Sequence, residues 1–219
     1  MATAAILLAG RSKGFAGSSF FFGSDENSLV ILHSHLPAGE NGFSFSDHSA
    51  YTKNIIASEK RKYNNLLLVD DLVAGQRFTI IRKGNINTGI INAGYGLGMD
   101  PAEIDELARS LKENKQCRIV ICLSEMGFEN KNSPDDRSLA ASSEHIDIII
   151  GNTCTPGHLP SIVLNKNKQE VLINHCAHDA VALGRIELRF DRQGNKNAMT
   201  WSNMLYRNNK EHWKNFSLS

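Results

Sequence analysis

Short apolar runs separated by turn-forming clusters dominate the chain and predict strands. Leu29 to His33 (LVILH) is one such run. Leu66 to Val69 (LLLV) is another, and it ends in Asp70-Asp71, as a buried strand with acids at its carboxyl end would. Phe78 to Arg82, a turn at Lys83-Gly84-Asn85, and Ile86 to Ala93 read together as a hairpin. Arg118 to Leu123 (RIVICL) and Ile146 to Ile150 (IDIII, followed by Gly151) are uninterrupted enough to be buried strands. Ser161 to Leu164, Glu170 to Asn174, Ile186 to Asp191 and Thr200 to Tyr206 read as later strands, with a Gln-Gly-Asn turn after the third.

Helical spacing is rarer. Asp100 can cap a helix, Pro101 suits its first position, and Ile104, Leu107 and Leu111 recur on one face through about Asn114. Ala50 to Tyr63 carries charges between apolar positions and reads as a helix, and Ser138 to Ala141 as a short one. Pro37 to His48, rich in Gly, Ser and Asn, reads as loop. Strands alternate with helices early and dominate late, which predicts an α/β layered domain around mixed sheet.

The N-terminus admits two readings. Ala2 to Gly10 (ATAAILLAG) is apolar and is followed by small and polar residues to Phe15-Ala16-Gly17, as in the core and cleavage region of an export signal, but no basic stretch precedes it. One reading is a truncated signal, with a periplasmic or exported protein. The other is a short buried strand or helix, or a disordered arm, with a cytoplasmic protein. The chain divides accordingly into residues 1–22 as signal remnant or arm, 23–208 as the domain, and 209–219 as a polar tail.

Composition narrows the function classes. The 219 residues are 41% hydrophobic and 21% charged, enough for one domain with a sizeable core. A net charge of +1 makes no electrostatic case for nucleic acid or an anionic membrane as partner. No apolar run is long enough to span a bilayer. The four cysteines, Cys117, Cys122, Cys154 and Cys176, form no CxxC pair, which argues against a structural zinc knuckle. Cys117 and Cys122 belong to an apolar strand and read as buried and inert.

Three consecutive blocks carry a family resemblance: CRIVICLSEMGF, EHIDIIIGNTCT and VLINHCAHDAVALGRIELRFD. In order, spacing and strand pattern they resemble the 5′-nucleotidase-like metallophosphoesterases of the calcineurin-like phosphoesterase superfamily. There a strand ends in a Leu-Ser-His-Leu-Gly type turn, a second in a Gly-His-Thr-His type turn, and a strand pair ends in Leu-Gly-Arg. LVILHSH, LLLVDDLVAG and RFTIIRKGNINTGIINAGYG resemble the family's opening strand, second strand and following hairpin. The resemblance implies a metallophosphoesterase-type α/β sandwich of mixed sheets flanked by helices, here shortened.

It also implies a chemistry that can be checked turn by turn. Such enzymes hold two metal ions that bind phosphate, acidify a bridging water and stabilise developing charge. The ligands come from five strand-end turns. At the first turn the Asp-x-His pattern has no clean match: without a gap Leu36 and Ala38 stand there, and a gap brings only His35 into place. The bridging Asp of the second turn corresponds to Asp71, with Asp70 the competing choice. The third turn, with its Gly-Asn-His-Glu stretch, is absent between Gly75 and Phe78. Glu125 replaces the His of the fourth turn, and Asn152 and Cys154 replace the two of the fifth.

The resemblance therefore implies a degenerate homologue without two-metal phosphohydrolase activity, acting as a binding or scaffold protein toward an unknown protein or small molecule. No cofactor is required on that reading. The alternative is an altered hydrolase with one divalent ion (Zn, Mn or Mg) in a rebuilt site of Asp71, Glu125, Asn152 and Cys154, all of which are possible ligand types. His175, Cys176 and His178 in NHCAHD would lie near Cys154 by the same resemblance, offering a Cys beside a His or, in an exported protein, a Cys154–Cys176 disulfide. Either reading expects Asp71, Glu125, Asn152 and Cys154 to converge at one sheet edge. An unrelated α/β binding protein would scatter them.

Overall fold

The computed structural model describes residues 2–9, 28–32, 66–68, 77–83, 86–93, 99–124, 126–130, 133–151, 160–175 and 182–205. The strands are β1 (Ala2–Ala9), β2 (Ser28–Leu32), β3 (Leu66–Leu68), β4 (Phe78–Lys83), β5 (Ile86–Ala93), β6 (Ile119–Ser124), β7 (Ile148–Gly151), β8 (Ser161–Leu164), β9 (Glu170–His175), β10 (Ala182–Phe190) and β11 (Lys196–Leu205). Two described helices accompany them, α1 (Pro101–Glu113) and α2 (Asp136–Ser142). The helix expected over Ala50 to Tyr63 lies outside the described residues.

The strands form two sheets. The five-stranded sheet runs β11-β10-β1-β2-β3, and the six-stranded sheet runs β4-β5-β6-β7-β9-β8. β1, β2 and β3 are parallel neighbours, with β10 antiparallel to β1. β5, β6, β7 and β9 are parallel, and the antiparallel strands β4 and β8 border them. Residues of the apolar N-terminal run form β1, a strand in the interior of its sheet. Among the described residues no helix is long and apolar enough to cross a membrane.

Alternation along each strand sorts side chains to two cores. Ile121, Leu123, Ile148, Ile150 and Leu172 face Ile186, Leu188 and Phe190 of β10, filling the space between the sheets. Val120, Cys122, Ile149, Val171 and Ile173 face the other way and pack with Ile104, Ala108 and Leu111 of α1 and Leu139 of α2. Full burial of each large aliphatic side chain stabilises by about 1.5–3 kcal/mol. Helix α1 begins as expected, with the Asp100 Oδ1 accepting the Glu103 N–H at 2.8 Å and Pro101 in the first turn. Gly89 lets α1 sit close: a Cβ there would fall 2.9 Å from Leu111 Cδ1 and 3.3 Å from Cys117 Sγ.

The amino ends of the parallel strands are tied by Asp147. Its Oδ2 accepts from Lys112 Nζ at 2.5 Å and from the Val120 N–H at 2.8 Å, while Oδ1 accepts from Lys196 Nζ at 3.1 Å. Lys112 belongs to α1 and Lys196 to β11, so one carboxylate joins the helix layer and both sheets.

Candidate functional site

In open parallel sheets, ligands bind beyond the carboxyl ends of the strands. Here Ala93, Ser124, Gly151 and His175 form the last row across β5, β6, β7 and β9. Asn92, Leu123, Ile150 and Asn174 form the row before it, on the opposite face. Asn92 and Asn174 are buried there beside Leu123 and Ile150 of the inter-sheet core.

The last row carries a buried polar cluster on the helix side. Asp136, in the first turn of α2, is fully buried. Its Oδ1 accepts the Ser124 hydroxyl, and its Oδ2 lies 2.8 Å from His175 Nε2. That second contact is close but lacks the alignment of a directed hydrogen bond. The His175 side chain is 3% exposed. One ring face lies against Gly151, where a Cβ would fall 2.2 Å from Cε1 and Nε2. Phe128 meets the ring edge-on, with centroids 5.7 Å apart.

The segment after β6 folds back onto the same cluster. Ser124 Oγ also accepts the Met126 N–H at 3.1 Å. The Asp136 N–H donates to Gly127 O at 2.8 Å, and the Asn130 N–H donates to Asp135 Oδ2 at 2.6 Å. Asp135 caps α2 reciprocally with Ser138. Burial alone would raise the Asp135 carboxyl, but the N–H groups of Asn130 and Ser138, the Ser138 hydroxyl and the charge of Arg137 outweigh it and hold it below its ordinary value. Burial, and then the proximity of Asp136, push the Cys122 thiol up, so Cys122 is inert as expected. Cys117 is likewise buried and reduced, with its thiol raised by burial.

Of the residues singled out from the sequence, His175 is the one the structure describes. Glu125 follows directly on β6, Asn152 and Cys154 follow β7, and Cys176 and His178 follow β9. His35 follows β2, and Asp70 and Asp71 follow β3. All of these, and the Cys154–Cys176 pairing, lie outside the described residues. The strand ends that carry them are placed: β6, β7 and β9 are parallel neighbours in one sheet, and β2 and β3 in the other. Asp136 and Ser124 were not singled out. The available signal was Ser133-Pro134-Asp135-Asp136, a helix start whose second acid proves to be buried.

The described cluster does not amount to a nucleophilic triad. Among the described residues the Ser124 hydroxyl donates its hydrogen bond to a carboxylate oxygen rather than to an imidazole. Among the described residues, no three His, Cys, Asp or Glu side chains gather to hold a metal.

No protein-family model matches the sequence, and no curated protein matches it. Solved structures do. A 5′-nucleotidase precursor from Thermus thermophilus superimposes with a TM-score of 0.60 at 14% identity, over 93% of this chain and 54% of that one. The calcineurin-like phosphoesterase YfkN from Bacillus subtilis superimposes with a TM-score of 0.54 at 12% identity, over 93% of this chain and 91% of that one. The chain thus spans about half the length of the 5′-nucleotidase structure. The fold is the metallophosphoesterase-type α/β fold of the 5′-nucleotidases and calcineurin-like phosphoesterases, as the three sequence blocks imply.

Proposed function

We propose that this chain is a degenerate 5′-nucleotidase-type metallophosphoesterase that has lost two-metal hydrolysis and acts by binding a protein or small molecule at the carboxyl edge of its sheets. One observation carries this reading. β3 ends at Leu68 in one sheet and β4 begins at Phe78 in the other. Residues 69–77 are all that connect them, which leaves no length for the Asn- and His-bearing turn of the family. Substitution at the fourth and fifth turns by Glu125, Asn152 and Cys154 adds to it. Loss of metal ligands and of the groups that orient them costs orders of magnitude in affinity or activity.

The test is hydrolysis of p-nitrophenyl phosphate and nucleoside monophosphates with Mg²⁺, Mn²⁺ or Zn²⁺ supplied. The expected result is no metal-dependent turnover above a blank. Robust turnover abolished by Asp71→Ala would overturn the reading.

A second reading keeps one divalent ion in a rebuilt site. The register favours it in one respect: Glu125, Asn152 and Cys154 leave adjacent parallel strands, β6 and β7, at the same edge. It predicts stoichiometric metal in freshly purified protein and a higher unfolding temperature with Zn²⁺ or Mn²⁺, since a ligand that binds only the folded state stabilises it. Metal analysis showing none, with no such stabilisation, removes this reading.

A further inference from the structure

The row that ends the parallel strands meets a buried carboxyl group that neither the family pattern nor the expected ligand set includes. Asp136 comes from α2, yet it reaches two strand ends separated by β7. Its Oδ1 takes the Ser124 hydroxyl at the end of β6, and its Oδ2 faces His175 Nε2 at the end of β9. Between them, the His175 ring lies on the backbone of Gly151 at the end of β7. The three strand ends touched this way are the three from which Glu125, from which Asn152 and Cys154, and from which Cys176 and His178 depart.

We propose that Asp136 is the positioning residue of this edge, a single buried carboxylate that aligns the ends of β6, β7 and β9. Two arms do this. Through Ser124, whose oxygen also accepts the Met126 N–H, it ties the backbone on either side of residue 125. Through His175 it presses the imidazole onto Gly151 and so couples the end of β9 to the end of β7. The backbone contact of the Asp136 N–H with Gly127 O closes the first arm from the far side.

The burial supports an organising role over a structurally neutral one. Asp136 is fully buried, where a carboxylate is costly unless other polar groups approach its oxygens. The two groups that approach it sit on strands far apart in sequence, so the arrangement exists only when these ends are aligned. This inference rests on the reading of the carboxyl edge as the binding site. It is tested without any ligand, so its failure is separable from that of the proposed function.

The experiment is hydrogen–deuterium exchange on the full chain, comparing wild type with Ser124→Ala, His175→Gln and Asp136→Asn. Ser124→Ala should speed exchange about tenfold or more in residues 126–130 while leaving the end of β9 unchanged. His175→Gln should do the reverse, speeding exchange at residues 172–175 and leaving 126–130 unchanged. Asp136→Asn should release both regions, with β4 and β5 as slow as in wild type. If Asp136→Asn leaves both regions protected, the inference is wrong. A uniform rise in exchange in all three variants also overturns it, because the cluster would then be a generic contributor to stability. The two single-arm variants keep the test decisive if Asp136→Asn does not fold.

Discussion

Replacing Gly151 by alanine drives a methyl group into the face of the His175 ring. The new carbon would lie 2.2 Å from Cε1 and Nε2 and 2.6 Å from Nδ1. Reaching ordinary contact requires the ring to move by roughly 1.2 Å, since close packing of such atoms begins near ~3.4 Å. The ring has little room to move, with Phe128 at its edge and 3% of the side chain exposed. A movement of that size disrupts the 2.8 Å contact with Asp136. Overpacking alone costs about 1–3 kcal/mol. Displacing one of the two groups that approach the fully buried carboxylate adds about 1–3 kcal/mol. Equilibrium unfolding in urea should show the midpoint fall accordingly. The decisive comparison repeats Gly151→Ala in a His175→Ala background, where the obstructing ring is gone. There most of the penalty should disappear, leaving a coupling on the order of 2 kcal/mol between the sites. Equal penalties in the two backgrounds would refute the argument, because the ring could not then be the source of the cost.

Two further predictions concern other carboxylates. Asp147→Ala removes the acceptor shared by Lys112, Lys196 and the Val120 N–H. It should destabilise by about 1.5–3 kcal/mol in urea unfolding, the range for hydrogen bonds to charged groups. An effect below about 0.5 kcal/mol, the range of ordinary surface substitutions, would show that the carboxylate does not join the layers. Asp135→Ala removes the cap of α2 and should cost about 1–2 kcal/mol at neutral pH. The folded carboxyl is held below its ordinary value, so its stabilising charge is present above the unfolded-state pKa, near ~3.9, and is lost as pH falls through the lower folded one. The gap between wild type and variant should therefore narrow in unfolding curves taken below pH ~4. A gap that stays constant with pH would rule out an ionic contribution at this cap.

Much of the fold was legible because its strands bury one or both faces. Apolar runs such as RIVICL and IDIII can serve almost only as interior strands, and they became β6 and β7. The capped helix after Asp100 was equally explicit. β10 and β11 extend beyond the runs that the sequence marks: Ala182 to Arg185 is interrupted by Gly184, Lys196 to Met199 opens with two polar residues, and both stretches are held as strand by pairing with their neighbours. The site was less legible for a physical reason. Asp135 and Asp136 look alike in sequence, and adjacent acids at a helix start normally both face water. Only the folding of α2 against β7, β8 and β9, with Ser124 at the end of β6 in reach, makes the second one interior, and that depends on partners remote in the chain. His175 was visible as an unusual residue in NHCAHD, but not as the partner of an acid on another element.

The position of β1 has a consequence for the order in which the molecule assembles. β1 lies between β2 and β10, with Ala2 opposite Phe190 and Ala9 opposite Leu183. Closing that sheet joins segments very far apart in sequence, so it carries the entropy cost of a long loop and must await synthesis through β10. The six-stranded sheet is drawn from one continuous stretch, β4 through β9, and has no such debt. During synthesis it is the natural first unit, with its Asp136 cluster already enclosed within it. β1 can pair with β2 early, but its partnership with β10 forms only once that strand exists.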